Sequence, residues 1–429
     1  MNLPLNNLLR IKILDLARGT DQLKVYQQYL KNQYQYSTEE IIRYQQSHFE
    51  RIFRHHFNNN ESYRNFLIAN GYKATASVRV SEVPLITKDF FRSPSHTPIV
   101  KEEVHLTKYS GGTTGVPLPV HLSKGAVDSF WPSIWRAFDV YKVAPCDKVM
   151  MMAGPSLFNN RSLKRKVYDF VNRFTVVSAF DLSTDKLQEA CDLIERHNIR
   201  VIYGYTSAIL IFLQYLEKND ITIALKCIFT TSETFIPSVR PLAEKYCGCD
   251  VVDTYGANDG GIFGFECEHH TGYHLSFERC LVEIIDHEII CTDFLNTAAP
   301  FIRYKVGDCT GDNTLTTAPC SCGRTLFRIN DISGKVNEFI EDVDQVKIHC
   351  GFFTQLFKTD HAIRQYQVHQ KGDRLTINIV HDHRENEHQF KEKYEASISR
   401  RFKIPFELVF NQPIETLPNM KTAILIKHT

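Results

Sequence analysis

Tyr109-Ser-Gly-Gly-Thr-Thr-Gly-Val-Pro117 has the composition of a loop that grips a polyanion. Gly111, Gly112 and Gly115 let the backbone come close to a ligand, and Ser110, Thr113 and Thr114 add hydroxyl donors. Successive backbone N–H groups in such a loop form an anion-binding concavity. No Gly-Lys-Ser/Thr closes it, so it is not a Walker A loop. Taken alone, a Gly/Ser/Thr run is more often an ordinary turn.

A second group of residues has the chemistry of a metal centre. Cys320 and Cys322 stand at Cys-x-Cys spacing in Pro319-Cys-Ser-Cys-Gly-Arg324, and Glu266-Cys-Glu-His-His-Thr-Gly-Tyr-His274 supplies Cys267 and three histidines. Zn²⁺ takes four thiolate or imidazole ligands in a tetrahedron, commonly one pair from each of two loops. The expected set is Cys267, His274, Cys320 and Cys322, with His270 the rival for His274. Four protein ligands would close the site, which makes its role structural. Free buried thiols and surface histidines are the competing reading. Cys247 and Cys249 share the spacing but lack nearby partners, and read as core.

These residues need a scaffold, and the hydrophobic pattern supplies one. The first eighty residues read as helical, with Asp21–Leu30 and Ser37–Tyr44 showing helical spacing and the latter a capping start. From about residue 105, short apolar runs alternate with helical patterns. Lys148–Met152, Val201–Gly204 and Cys227–Ser232 read as buried strands, and Thr184–Arg196 and Ser207–Asn219 as helices between them. That alternation predicts an α/β fold of βαβ units with mixed, largely parallel sheets. After Pro300 short strands and turns take over, and the polar Ile332–Asn337 marks a boundary. The last ninety-odd residues, with strand-like Arg374–Val380 and helix-like Glu387–Phe402, suit a small α+β domain.

The bulk composition narrows the partners. Fifty basic against 49 acidic side chains leave a net charge of +1, which argues against nucleic acid as the main partner. No apolar run approaches the roughly 20 residues that span a bilayer. At the N-terminus, Leu3, Leu5, Leu8, Leu9, Ile11, Ile13 and Leu14 are interrupted by Arg10, Lys12 and Asp15, with no cleavage site. The expectation is an amphipathic helix packed on its domain, and the alternative a weak membrane-surface contact. Twelve cysteines without an export signal point to a reducing compartment, hence a cytoplasmic protein.

Three further stretches follow the loop in order: Thr254-Tyr-Gly-Ala-Asn-Asp-Gly-Gly261, Pro300-Phe-Ile-Arg-Tyr-Lys-Val-Gly-Asp308 and Leu417-Pro-Asn-Met-Lys421. With Ser110–Gly115 they resemble the ordered core motifs of the adenylate-forming ligases. The likeness is greatest to the phenylacetate–CoA ligase group, including its capsular-polysaccharide biosynthesis members, and runs from about residue 80 to the C-terminus. It implies a large N-terminal adenylation domain, residues 1–332, and a small mobile C-terminal domain, residues 333–429. It also implies ATP and AMP as ligands, Mg²⁺ as cofactor and a structural zinc.

The resemblance assigns roles residue by residue. Ser110–Gly115 would cradle the departing pyrophosphate, although Val116 stands where relatives commonly carry a lysine. Asp259 sits at the position of a Mg²⁺-binding glutamate and keeps the hard oxygen ligand with a shorter reach. Tyr255 matches an adenine-stacking tyrosine, with Gly256, Ala257 and Asn258 lining the base and acyl pocket. Asp308 matches the aspartate that accepts from both ribose hydroxyls, as a two-oxygen carboxylate can. Arg303, in the same stretch, reads equally as a structural ion-pair partner. Thr231-Ser232-Glu233 matches an acyl-site segment, where Glu233 is a second metal or substrate contact or a helix cap. Lys335 replaces the usual hinge arginine and loses its planar fork. Lys421 matches the catalytic lysine, with Met420 in place of the usual glycine.

The expected activity is an ATP-dependent ligase that converts a small-molecule or saccharide-linked carboxylate to an acyl-adenylate and then transfers the acyl group. Attack by an amine in surface-polysaccharide biosynthesis is the leading second half, and thioester formation with coenzyme A the alternative. Val116, Lys335 and Met420 keep open a third reading, a weakly catalytic nucleotide-binding partner protein.

Overall fold

The computed structural model describes residues 3–74, 77–93, 98–109, 118–153, 163–179, 181–335, 339–343, 347–349, 351–357, 360, 362–381, 387–415 and 423–428. Two compact units divide the chain. The first comprises Met1–Val149, Asn160–Thr175 and Val252–Asp331, and the second Met150–Asn159, Val176–Val251 and Ile332–Thr429.

In the first unit, helices Leu5–Arg18, Gln22–Asn32, Thr38–Asn59 and Glu61–Ala69 fill the N-terminal region. The helix Thr38–Asn59 opens on a capping box, in which Ser37 accepts from the Glu40 N–H and Glu40 accepts from the Ser37 N–H. Its inward stripe, Ile41, Gln45, Phe49, Ile52, Phe53 and His56, recurs every three or four residues, as a one-sided helix requires. Strands Leu106–Tyr109 and Pro119–Leu122 pair antiparallel, with Tyr109 opposite Pro119, on either side of residues 110–117 in the sequence. The helix Lys124–Phe138 is buried along most of its length, and Arg136 within it meets Glu278 through two bonds of 2.9 and 3.0 Å. Two runs of antiparallel strands complete this unit. Asp250–Gly256, Phe263–Phe265, Tyr273–Leu275 and Arg328–Ile329 form one. Cys280–Ile285, Glu288–Asp293 and Tyr304–Cys309 form the other.

The second unit holds the βαβ texture. Strands Val149–Ala153, Val201–Tyr205 and Cys227–Thr231 are buried at every position, and Val201–Tyr205 runs parallel to Cys227–Thr231. Strands covered on both faces read as unbroken apolar runs, which is why the sequence shows them so plainly. Helices Thr184–His197, Thr206–Asn219 and Val239–Cys247 seal a core that includes Met150, Ile202, Phe212, Ile228 and Ala243. A second core, with Val368, Ile377, Tyr394 and Phe402, lies in the C-terminal segment. Its sheet runs in the order Phe406–Phe410, Arg374–His381, Ile363–Lys371, Leu425–His428. The central pair is antiparallel and each outer strand parallel to its neighbour. Arg364 pairs with Glu217 at 2.9 Å within this unit. The chain is therefore a mixed α/β protein, as the sequence predicts.

Candidate nucleotide site and candidate metal centre

Two of the sequence motifs, some fifty residues apart, are laced together by reciprocal bonds in the first unit. The Tyr255 hydroxyl donates to Asp308 Oδ2 at 2.8 Å, and the Tyr304 hydroxyl donates to Asp259 Oδ2 at 2.8 Å. Each motif thus gives one tyrosine and receives one. Tyr304 and Asp308 lie four apart on one strand and point to the same buried face, as the two-residue period dictates. Tyr255 is the penultimate residue of the strand Asp250–Gly256, and Asp259 sits in the turn that follows. Burial, followed by the charge of the paired aspartate, raises both phenols above the ordinary tyrosine range. They therefore stay protonated donors.

The turn that delivers Asp259 depends on two glycines. Gly260 and Gly261 have φ of 91° and 71°. A Cβ on Gly260 would stand 2.2 Å from Cys291 Sγ, and one on Gly261 2.2 Å from Asp293 Oδ2. Only glycine satisfies both the positive φ and the close approach. Ala257 N–H closes the turn on Ile262 O at 3.2 Å.

Asp259 has a second partner that the sequence did not suggest. Lys88 Nζ lies 3.3 Å from the same Oδ2, so a protein cation already faces this carboxylate. Arg303 takes the structural role, gripping Glu283 through bonds of 3.0 and 2.9 Å and donating to Val83 O at 2.7 Å. Ser232 and Glu233 belong to the second unit. There Glu233 Oε2 accepts from the Ser207 N–H at 2.8 Å, a cap on the helix Thr206–Asn219 that suits the dipole.

Ser110–Gly115 and Lys421 lie outside the described residues, and of Lys335 only the backbone is described, in the strand Gly334–Lys335. The flanks of the Lys421 segment are held by one side chain. Gln367, fully buried on the strand Ile363–Lys371, donates to Glu415 O at 2.9 Å and Ala423 O at 3.0 Å, and accepts from the Glu415 N–H at 2.9 Å. Sequence reasoning passed over it; the available signal was a polar residue at an inward position of an apolar strand.

The candidate zinc ligands converge. Cys267 Sγ, His274 Nε2, Cys320 Sγ and Cys322 Sγ all lie within 4.8 Å of one another. Cys267 and Cys320 are 3.8 Å apart, and Cys322 is 3.6 Å from His274. A tetrahedron with zinc–sulfur bonds of about 2.3 Å requires sulfur–sulfur separations of about 3.8 Å, so the donor set fits the ion. The turn that carries two ligands is closed by the Gly323 N–H on Cys320 O at 2.9 Å, with Gly323 at φ 83°. Hydrogen bonds from Cys267 and His274 hold the Cys322 thiol far below its ordinary range, while Cys267 is pushed up by the same bond. His270 instead faces Glu266, 3.4 Å away.

No family model matches the chain. Protein CapK of Staphylococcus aureus is 24% identical over 413 residues, which cover 91% of this chain and 90% of that protein. The phenylacetate–coenzyme A ligase of Escherichia coli is 22% identical, covering 80% of this chain and 83% of its own. Among solved structures, 2-hydroxyisobutyryl-CoA ligase in the postadenylation state, in complex with 2-HIB-AMP, matches 93% of this chain and 91% of its own. The TM-score is 0.71 at 16% identity. These likenesses show that the chain has the fold of 2-hydroxyisobutyryl-CoA ligase and is similar over most of its length to CapK and to the phenylacetate–coenzyme A ligase of Escherichia coli.

Proposed function

We propose that the chain is an AMP-forming carboxylate ligase, which joins a carboxylate to ATP as an acyl-adenylate, releases pyrophosphate and then passes the acyl group to a nucleophile. The observation that carries this reading is the pair of reciprocal Tyr–Asp bonds, which fix the Tyr255 and Asp308 motifs in one site. In it Asp308 takes the ribose hydroxyls, and Tyr255, Gly256, Ala257 and Asn258 line the base. Ser110–Gly115 holds the departing pyrophosphate. Lys421, carried by residues 333–429 acting as a mobile small domain, neutralises the charge that develops at the α-phosphate. Lys335 serves the hinge, and Ser232 and Glu233 border the acyl end. Mg²⁺, the hard cation suited to triphosphate oxygens, would be met by Asp259 directly or through water, with Lys88 sharing that carboxylate. Cys267, His274, Cys320 and Cys322 would hold a structural zinc.

For the acceptor, an amine is the first reading, supported by a likeness to CapK that spans nine-tenths of both chains. Coenzyme A is the second, supported by the likeness to phenylacetate–coenzyme A ligases. Pyrophosphate release, measured on a panel of carboxylates with coenzyme A, with amines including amino sugars, or with neither, tests the whole. Release with one carboxylate, and formation of an amide but no thioester, is the expected outcome. Thioester formation would move the chain to the second reading. ATP binding without pyrophosphate release on any carboxylate would leave the weakly catalytic nucleotide-binding partner.

A further inference from the structure

The helix Leu5–Arg18 is apolar on two opposite faces. Asn7, Ile11 and Leu14 pack inward, yet Leu5, Leu9, Ile13 and Leu16 point to solvent with 47 to 87% of their surface exposed. At 3.6 residues per turn these four fall within about 80° of one another, a continuous outer stripe. The helix Leu163–Asn172 carries a matching stripe of Leu163, Val167 and Phe170, which are 53 to 77% exposed. The two helices touch. Arg10 donates to Phe170 O at 3.0 Å and Val171 O at 3.1 Å and lies 5.5 Å from the Phe170 ring, while Arg18 lies 5.3 Å from the Tyr168 ring. Seven large apolar side chains therefore project from one helix pair, and packing onto the domain explains none of them. A patch of this kind marks an interaction surface.

Charge identifies the occupant. The two helices carry six basic residues, Arg10, Lys12, Arg18, Lys164, Arg165 and Lys166, against two acidic ones, Asp15 and Asp169, in a chain whose net charge is only +1. Both acidic groups are engaged locally. Asp15 accepts from Thr20 Oγ1 at 2.7 Å and the Gln22 N–H at 2.9 Å, and Asp169 pairs with Arg165 at 2.9 Å. Lys164 and Lys166 flank the stripe on either side, and Lys12 stands at the edge of the other. A second copy seated symmetrically on this face would set basic residues against themselves, because a two-fold interface meets its own charges. An anionic bilayer surface answers both features: its headgroups meet the lysines, and its acyl boundary takes the leucines and the phenylalanine.

We propose that the paired helices Leu5–Arg18 and Leu163–Asn172 form a docking face for an anionic lipid surface, on which the chain lies without crossing it. Flotation of the full chain with vesicles tests this. Wild type should float with phosphatidylglycerol–phosphatidylcholine vesicles, do so less at high salt, and stay behind with phosphatidylcholine alone. Leu9→Glu with Phe170→Glu should weaken the partition by at least about tenfold, the worth of one large apolar side chain. Lys164→Glu with Lys166→Glu should weaken it chiefly at low salt, where unscreened charge matters most. All four positions are exposed or partly so, and an unchanged melting temperature separates lost docking from lost folding. No flotation of wild type, or equal flotation with neutral vesicles, would overturn the proposal. So would a wild-type dimer that Leu9→Glu with Phe170→Glu converts to monomer, which would give the face to a second copy.

Discussion

The Tyr–Asp lattice of the first unit and the C-terminal segment of the second solve the same problem by different means. In the first, side chains hold side chains: Tyr255 to Asp308, Tyr304 to Asp259 and Lys88 to Asp259. In the second, two buried side chains hold backbone. Gln367 grips Glu415 and Ala423, and Asp342 accepts from the Lys403 and Ile404 N–H groups. The lattice fixes the orientation of functional groups, as a site that binds a defined ligand requires. Backbone staples fix where a segment begins and ends. Damage to the first unit should therefore appear in binding and stability, and damage to the C-terminal segment in rate.

The largest effect should come from the metal centre. Purified protein should carry about one zinc per chain, and Cys320→Ser should lose it with several kcal/mol of stability, because metal binding is coupled to folding. Elemental analysis and thermal melts check this; protein prepared without chelators and found free of zinc would remove the ion from the site.

Next comes a direct contrast between the two regions. Lys421→Ala should slow adenylate formation by at least about a hundredfold, the scale of one lost electrostatic donor, while nucleotide affinity changes little. Asp308→Ala should do the reverse first, weakening ATP and AMP by about 1.5–3 kcal/mol, the worth of a charge-assisted hydrogen bond. Isothermal titration and a pyrophosphate-release assay on both variants break the comparison if the two profiles coincide.

A smaller effect should separate the units by pH. His56, buried in the helix Thr38–Asn59, donates through Nε2 to Asn296 O at 2.9 Å, and burial lowers its pKa to about 3. Unfolded, the same group titrates near 6.5. Below that pH the unfolded chain takes up a proton that the folded chain refuses, so stability falls as pH drops from about 6.5 towards 3. The loss is about 1.4 kcal/mol per pH unit at most, and above 6.5 His56 adds no slope. Urea unfolding at pH 7.5, 6 and 5 should show this slope, and His56→Gln, which keeps the donor, should flatten it.

What the sequence disclosed follows the same division. The buried strands Val201–Tyr205 and Cys227–Thr231 were legible because a strand covered on both faces must be apolar throughout. The four motifs were legible as short contiguous stretches. The Tyr255–Asp308 and Tyr304–Asp259 bonds were not, since nothing local records which tyrosine faces which aspartate across fifty residues. Lys88 was invisible for the same reason. The positive φ of Arg303 (48°) is set by its many partners and not by residue type. The helix Leu5–Arg18 packs on its domain through Ile11 and Leu14, as expected, but a helix with apolar residues on both faces does not say in advance which face the fold will bury.

The smallest effect concerns Gln367, and it tests the contrast most sharply. Its amide makes three bonds to the backbone on either side of residues 416–422. In Gln367→Ala two carbonyls and one N–H lose their partner, but Glu415 is exposed, so water replaces part of what is lost. The net cost should be about 1 kcal/mol, near the worth of one hydrogen bond, with little change in melting temperature. If the staple serves only the fold, adenylate formation will follow stability and also change little. If it positions Lys421, the rate will fall several-fold while ATP affinity and the melting temperature hold. Gln367→Glu provides the control, because it keeps the acceptor for the Glu415 N–H and loses both donors. A positioning role predicts an intermediate rate for it, and a purely structural role predicts the loss in rate to match the loss in stability for both variants.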